Sequence, residues 1–198
     1  MVTSTFTGQL VSEVVAHHGP WRFTRETVVV DPLAAQFYEL YASTFSPLKS
    51  RSVARQVLTM AEFYTQMTDP RVDKYIAWND DGQPVGITTL TKHLESVPWI
   101  SPEYFAAHYP EHWARHAVYY LGFTLAHPSM RQQGFLEAII QVGMNPLAAE
   151  RAVMGYDVCA YNNTALGFTE RINDILERYP LVQLAAVDTQ VYYAVTFI

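Results

Sequence analysis

The sequence predicts one soluble α/β (α+β) domain over residues 1–198, and three observations carry that prediction. Short β-branched runs alternate with segments whose apolar residues recur every three or four positions. Proline and Asn/Asp-Gly punctuation falls mainly between these segments. Hydrophobic residues make up 49% of the chain and charged residues 16%, a balance that builds a core and gives no sign of a disordered tail.

Residues 21–30 end in Val28-Val29-Val30 and read as a strand that Asp31-Pro32 stops. Leu33, Phe37, Leu40, Tyr41 and Phe45 repeat at helical spacing, so 33–45 reads as an amphipathic helix ended by Ser46-Pro47. Val53, Val57, Met60, Ala61, Tyr64 and Met67 mark a second helix, closed by Asp69-Pro70. Strands are predicted at 73–78 and 84–91, with Asn79-Asp80-Asp81-Gly82 as the tight turn between them. Residues 94–115 carry prolines and aromatics with no clear period and read as an insertion containing short helices. The run 117–126 is the most strand-like in the chain. A helix follows from about Gln132, interrupted at Asn145-Pro146. A strand at 152–160 comes next, then a helix carrying Leu166, Ile172, Ile175 and Leu176. Two final strands are expected at 181–186 and 190–197.

The formal charge is −6 and the pI about 5.6. No basic patch capable of neutralising phosphates is visible, so nucleic acid is excluded as a partner. The mild acidity suits a cationic acceptor. Cys159 is the only cysteine, so no disulfide forms within the chain, and it reads as a small buried hydrophobe at a strand end. The N-terminus lacks the basic start and apolar stretch of a secretory signal. No apolar run approaches the ~20 residues that span a bilayer. No membrane partner and a cytoplasmic location are therefore expected.

The segment His127-Pro128-Ser129-Met130-Arg131-Gln132-Gln133-Gly134-Phe135-Leu136 sits between a strand and a helix. Amides at a helix start lack intrahelical partners and stand at the positive end of the dipole, so a phosphate or pyrophosphate suits this turn. Gly134 allows close backbone approach and Arg131 supplies a charge-assisted contact.

This stretch resembles the acyl-CoA signature of the GNAT superfamily, Arg/Gln-x-x-Gly-x-Gly/Ala, with a proline three residues before the arginine. Pro128, Arg131 and Gly134 match, while Leu136 replaces the last small residue. The order of elements over 21–198 is also similar to that family, with 94–115 as an insertion. The resemblance implies a mixed, mostly antiparallel central sheet of about seven strands, flanked by helices. It implies a splay between the fourth strand (117–126) and the fifth (152–160). The co-substrate would be acetyl-CoA or another acyl-CoA, and the acceptor an amine. Phe123, Leu125 and Ala126 would offer backbone groups to the pantetheine arm. Arg131, Gln132, Gln133, Gly134, Phe135 and Leu136 would hold the pyrophosphate. Asn162 stands where the family often has an asparagine, and also reads as a plain helix cap.

The catalytic half departs from the family pattern. Thr169 occupies the place of the usual tyrosine acid, and 117–126 holds Tyr119 and Tyr120 but no carboxylate base. Tyr161 is a candidate replacement acid, with packing as its other reading. The base is sought in the insertion, among Glu111, His112 and His116, with Tyr120 beside them on the strand; His93, Glu95 and His108 belong to the same region. Lys49 and Arg51 lie in the turn that lines the acceptor pocket in the family. The insertion has three open roles: acceptor lid, homodimer contact or core.

His108-Tyr109-Pro110-Glu111-His112 also fits the His-x-x-Glu-His string of zinc peptidases. Pro110 argues against it, because proline inside a helix removes a hydrogen bond and separates the two histidines. The function expected is acyl transfer from acyl-CoA to an amine of a small molecule or protein. The alternative is a ligand-binding module of the same fold without catalysis.

Overall fold

The computed structural model describes residues 12–130, 134–179 and 182–197. They form two compact units: residues 12–44 with 58–156, and residues 45–57 with 157–197.

The first unit is built on a six-stranded sheet in the order β1-β2-β3-β4-β5-β6. β1 (Ser12–His18) and β2 (Trp21–Glu26) form a hairpin around Gly19, whose φ of 57° suits glycine. β3 (Val72–Trp78) and β4 (Pro84–Thr91) form a second hairpin. Its turn is held by Asn79, whose side-chain oxygen accepts the Gln83 N–H at 2.8 Å. β5 (Val118–Ala126) pairs antiparallel with β4, and β6 (Val153–Gly155) pairs parallel with β5. The sheet is thus mixed and mostly antiparallel, as expected, with six described strands instead of about seven.

Helices cover both faces. α5 (Phe135–Glu150) packs Phe135, Ala138, Ile139 and Val142 against Trp21, Phe23, Tyr75 and Leu90. Phe135 sits at the centre, edge-on to Trp21 at 5.2 Å between ring centroids. Fully burying one such side chain contributes roughly 1.5–3 kcal/mol. α1 (Leu33–Phe45) and α2 (Met60–Thr68) supply an aromatic layer in which Tyr41 and Phe63 meet Phe123 of β5 at 5.2 and 5.9 Å. Between β4 and β5 lie the short helices α3 (Pro102–His108) and α4 (Pro110–Ala114), which occupy the predicted insertion.

The second unit holds a 3-10 turn at Ser46–Ser50, a π-helical turn at Tyr161–Ala165 and α6 (Phe168–Leu176), whose Ile172 and Ile175 are buried.

Several boundaries differ from the sequence reading. β1 was not expected, because its face is largely exposed and its pattern polar, as befits an edge strand. The second helix starts at Met60, not near Val53, because Thr59 and Glu62 form a reciprocal capping box there. α5 continues through Pro146 to Glu150, since its buried face outweighs one lost hydrogen bond. The predicted strand 152–160 shortens to three residues. Asn162 lies inside the π-helical turn, and α6 begins instead after Gly167 at φ 60°. Residues 182–197 form no strand, despite their β-branched and aromatic content; propensity alone does not make a strand without a paired neighbour.

Candidate active site

The site begins with the way β5 and β6 part. Val118, Tyr119 and Tyr120 pair with Val153, Met154 and Gly155, and there the ladder stops. β5 continues for six more residues, Leu121 to Ala126, bonded to β4 on one side only. This is the splay the resemblance implied, and among the described residues it leaves one edge of β5 without a strand partner.

Which backbone groups face that edge follows from two hydrogen bonds. The Ala117 carbonyl accepts the Val153 N–H at 3.0 Å, so Ala117 faces β6. Alternation then turns Tyr119 and Leu121 the same way. At the other end the His127 N–H donates to the Val85 carbonyl at 2.8 Å, so His127 faces β4, and Leu125 with it. The two phases meet at a bulge, where Gly122 and Phe123 together oppose Thr89. Beyond the bulge Thr124 and Ala126 turn outward. Of the three residues expected to offer backbone groups, Phe123 and Leu125 face β4 and Ala126 faces the open edge. The bulge carries no residue-type signature in 117–126 beyond Gly122, so it could not be read from the residues.

Gly122 is required by close packing. A Cβ there would lie 2.6 Å from Thr89 Oγ1 and 3.0 Å from Gln66 Nε2. Gln66, on α2, keeps its Oε1 buried without a hydrogen-bond partner.

The signature segment follows directly. Pro128–Met130 form a 3-10 turn, and the His127 ring nitrogen lies 2.6 Å from Ser129 Oγ. Arg131, Gln132 and Gln133 lie outside the described residues. Gly134 is the α5 N-cap residue at φ 71°, and its chain neighbours and own helix backbone aside, no atom of the described residues lies within 4 Å of the position a Cβ would take. The helix ladder opens with the bond from the Ala138 N–H to the Gly134 carbonyl, so the amides of residues 134–137 precede it. Phe135 is core, 1% exposed, so its part in an anion site is limited to its amide. Leu136 packs partly against the same core. A cavity of about 320 Å³ adjoins this turn, between Gln36 and Phe37 of α1, Gln83, and His127, Ser129 and Met130.

Among the described residues no side-chain hydrogen bond joins His112, His116 and Glu111 to one another. Tyr120 is 2% exposed and lies in a cluster with Leu94, Val97, Phe105 and Val118. His112 stands edge-on to Tyr109 at 6.3 Å. Glu111 and His116 are exposed, and His116 adopts φ 54° where the chain leaves α4 for β5. Phe105 of the insertion fits against Gly155, where a Cβ would meet its ring at 2.7 Å. The insertion therefore supplies core at the point where β5 and β6 are still paired.

Pro110 opens α4 and His108 ends α3, so the two histidines of the His-x-x-Glu-His string lie on separate helices. Among the described residues no group of three or more His, Cys, Asp or Glu is arranged to hold a metal ion.

In the second unit Arg51 donates to the Tyr161 hydroxyl at 2.8 Å and lies over its ring at 4.6 Å. The sequence reading named both residues but had no signal linking them across that separation. Thr169 is half-buried on α6, and Lys49 belongs to the 3-10 turn. Cys159 is buried, as expected, although no strand reaches it.

No family model matches the sequence, and neither does any curated protein. Solved structures do match. A possible acetyltransferase from Clostridium difficile 630 aligns with a TM-score of 0.56 at 10% identity, covering 89% of this chain and 99% of its own. A proposed acetyltransferase from Acinetobacter baylyi ADP1 aligns with a TM-score of 0.50 at 14% identity, covering 77% of each chain. At these identities the likeness is one of fold: this chain shares the fold of these two structures. No described helix is long and apolar enough to cross a membrane.

Proposed function

We propose that the protein is an N-acyltransferase that moves an acyl group, most simply acetyl, from acyl-CoA to an amine of a small molecule or protein. The observation that carries this reading is the open edge of β5 beyond Tyr120, leading toward the start of α5 at Gly134. Outward amides on an unpaired strand edge suit the amides of a pantetheine arm, which would otherwise be buried without partners. The helix start suits the pyrophosphate.

An outward amide of β5 polarises the thioester carbonyl as negative charge develops on its oxygen. The deprotonated amine attacks the carbonyl carbon, the C–S bond breaks, and the thiolate of CoA leaves and takes up a proton. Arg131, Gln132 and Gln133 are proposed pyrophosphate contacts on sequence grounds, and Asn162 a further cofactor contact. His112, His116 and Glu111 are proposed sources of the base, with solvent water as the other.

One observation favours a second reading, a module that binds acyl-CoA without transfer. Among the described residues no side-chain hydrogen bond or ion pair joins His112, His116 and Glu111 to one another. Calorimetric titration with acetyl-CoA tests the shared part, with Arg131→Glu/Gly134→Trp as control. Turnover of acetyl-CoA with a panel of amines then separates the readings: release of free CoA that depends on the amine supports transfer. Saturable binding without amine-dependent release would overturn it in favour of the module.

A further inference from the structure

Two buried threonines of β4 meet the β5 bulge, and Thr89 is fully buried. Its hydroxyl oxygen accepts the Phe123 N–H at 3.1 Å. Its neighbour Thr88 donates its hydroxyl to the Phe123 carbonyl at 3.3 Å. Both backbone groups of Phe123 are therefore engaged from the β4 side by threonine side chains. Gly122 leaves the room this needs, since a side chain there would strike the Thr89 hydroxyl.

The consequence is a change of phase along the open edge. Before the bulge odd-numbered residues face outward, ending at Leu121; after it even-numbered residues do, beginning at Thr124. Without the bulge, Phe123 and Leu125 would offer their amides to the edge, and Thr124 and Ala126 would not. Because side chains and backbone groups alternate together, such a slip also exchanges the faces of every side chain beyond it. Phe123 would leave the aromatic layer of Tyr41 and Phe63.

We infer that Thr89 is a positioning residue for acyl transfer: by holding Phe123 against β4 it sets the phase that presents the Thr124 and Ala126 amides to the acyl donor. The inference rests on the acyl-transfer reading above. It assigns Thr89 no contact with the reacting atoms; its effect passes through the strand. A thioester displaced by a fraction of an ångström from its polarising amide still binds, but reacts slowly.

The test uses the full chain with Thr89→Val, which keeps shape and removes the acceptor, and Thr89→Ser, which restores it. With acetyl-CoA and the best amine of the panel, Thr89→Val is expected to lower kcat by about tenfold or more while acetyl-CoA Kd changes less than about threefold. Thr89→Ser should recover most of the loss. Amide exchange of Phe123, read by NMR, should accelerate about tenfold in the valine variant, and acetyl-CoA should shift the Thr124 and Ala126 amide signals more than those of Phe123 and Leu125. Wild-type kcat in Thr89→Val, or equal loss in the serine variant, overturns the inference while leaving acyl transfer intact. Should Thr89→Val not fold, Thr89→Ala removes the same acceptor, and an unchanged kcat there has the same force. A wild-type protein that turns over no amine overturns both readings together.

Discussion

Lys74 makes the stability of this protein rise with pH across a range where most proteins lose it. The side chain is 0% exposed on β3, and its ammonium nitrogen lies 2.9 Å from the Thr27 carbonyl and 2.7 Å from that of Asp69. Burial lowers its pKa from 10.5 to about 8, against the opposing pull of Asp69 and Asp73. A neutral amine still has two N–H groups for those two carbonyls, so losing the charge costs no bond. Between pH 8 and 10.5 the unfolded chain holds the lysine proton and the folded one does not, so stability increases with pH. Below pH 8 both states are protonated and the slope vanishes; above 10.5 both are neutral and it vanishes again. Each pKa unit is worth ~1.4 kcal/mol, so the full gain is about 3 kcal/mol. For a chain of this size that amounts to roughly 6–12 °C in Tm. The assay is calorimetric Tm at half-unit pH steps from 7 to 11 for the native protein and Lys74→Met. Tyrosines blur the upper end: burial raises Tyr75 to about 12, which removes stability above pH 10. That loss is common to both proteins and cancels in their difference. The native-minus-variant Tm should climb through the window, and parallel curves would refute a lysine discharged by burial.

Three further predictions follow from local packing. Gln66→Met should stabilise by about 1 kcal/mol, because it removes a buried oxygen with no partner, and chemical denaturation reads the change. Gly86→Ala should destabilise by roughly 1–3 kcal/mol, since the new Cβ would lie 2.4 Å from the Phe135 ring and 2.8 Å from the Leu125 carbonyl oxygen; an unchanged Tm would contradict the tight seating of α5 on β4. His116→Gly should stabilise by up to about 1 kcal/mol by relieving a left-handed backbone, and a turnover loss of about tenfold in the same variant would assign the imidazole a chemical role.

Much of this fold was legible in the sequence because its signals are local. Asn79 to Gly82 reads as a turn and is one, and the spacing from Leu33 to Phe45 reads as a helix and is one. The strand at 117–126 and the glycine at the start of the next helix were likewise placed to within a few residues. What failed depends on partners. β1 exists because β2 lies beside it, and residues 182–197 lack strands because no ladder pairs them. The same limit applies to the site. That β5 and β6 part was readable from resemblance; which amides face the gap was not. That depends on a bulge set by Thr89, a residue that looks like any other in Gly86-Ile87-Thr88-Thr89-Leu90.

The insertion shows how a structural role can resemble a chemical one in sequence. Histidines, a glutamate and tyrosines gathered beside a strand of the expected site invite a reading as acid and base. The structure gives the burial to other members of the group. Leu94, Val97 and Phe105 close over Val118 and Tyr120, and Phe105 settles into the space that Gly155 leaves. Phe105 and Tyr120 both border that glycine, the last residue of β6 to pair with β5, so the insertion braces the strands just before they separate. Bracing of this kind favours a splay of fixed geometry, which the proposed acyl transfer would require to position a thioester.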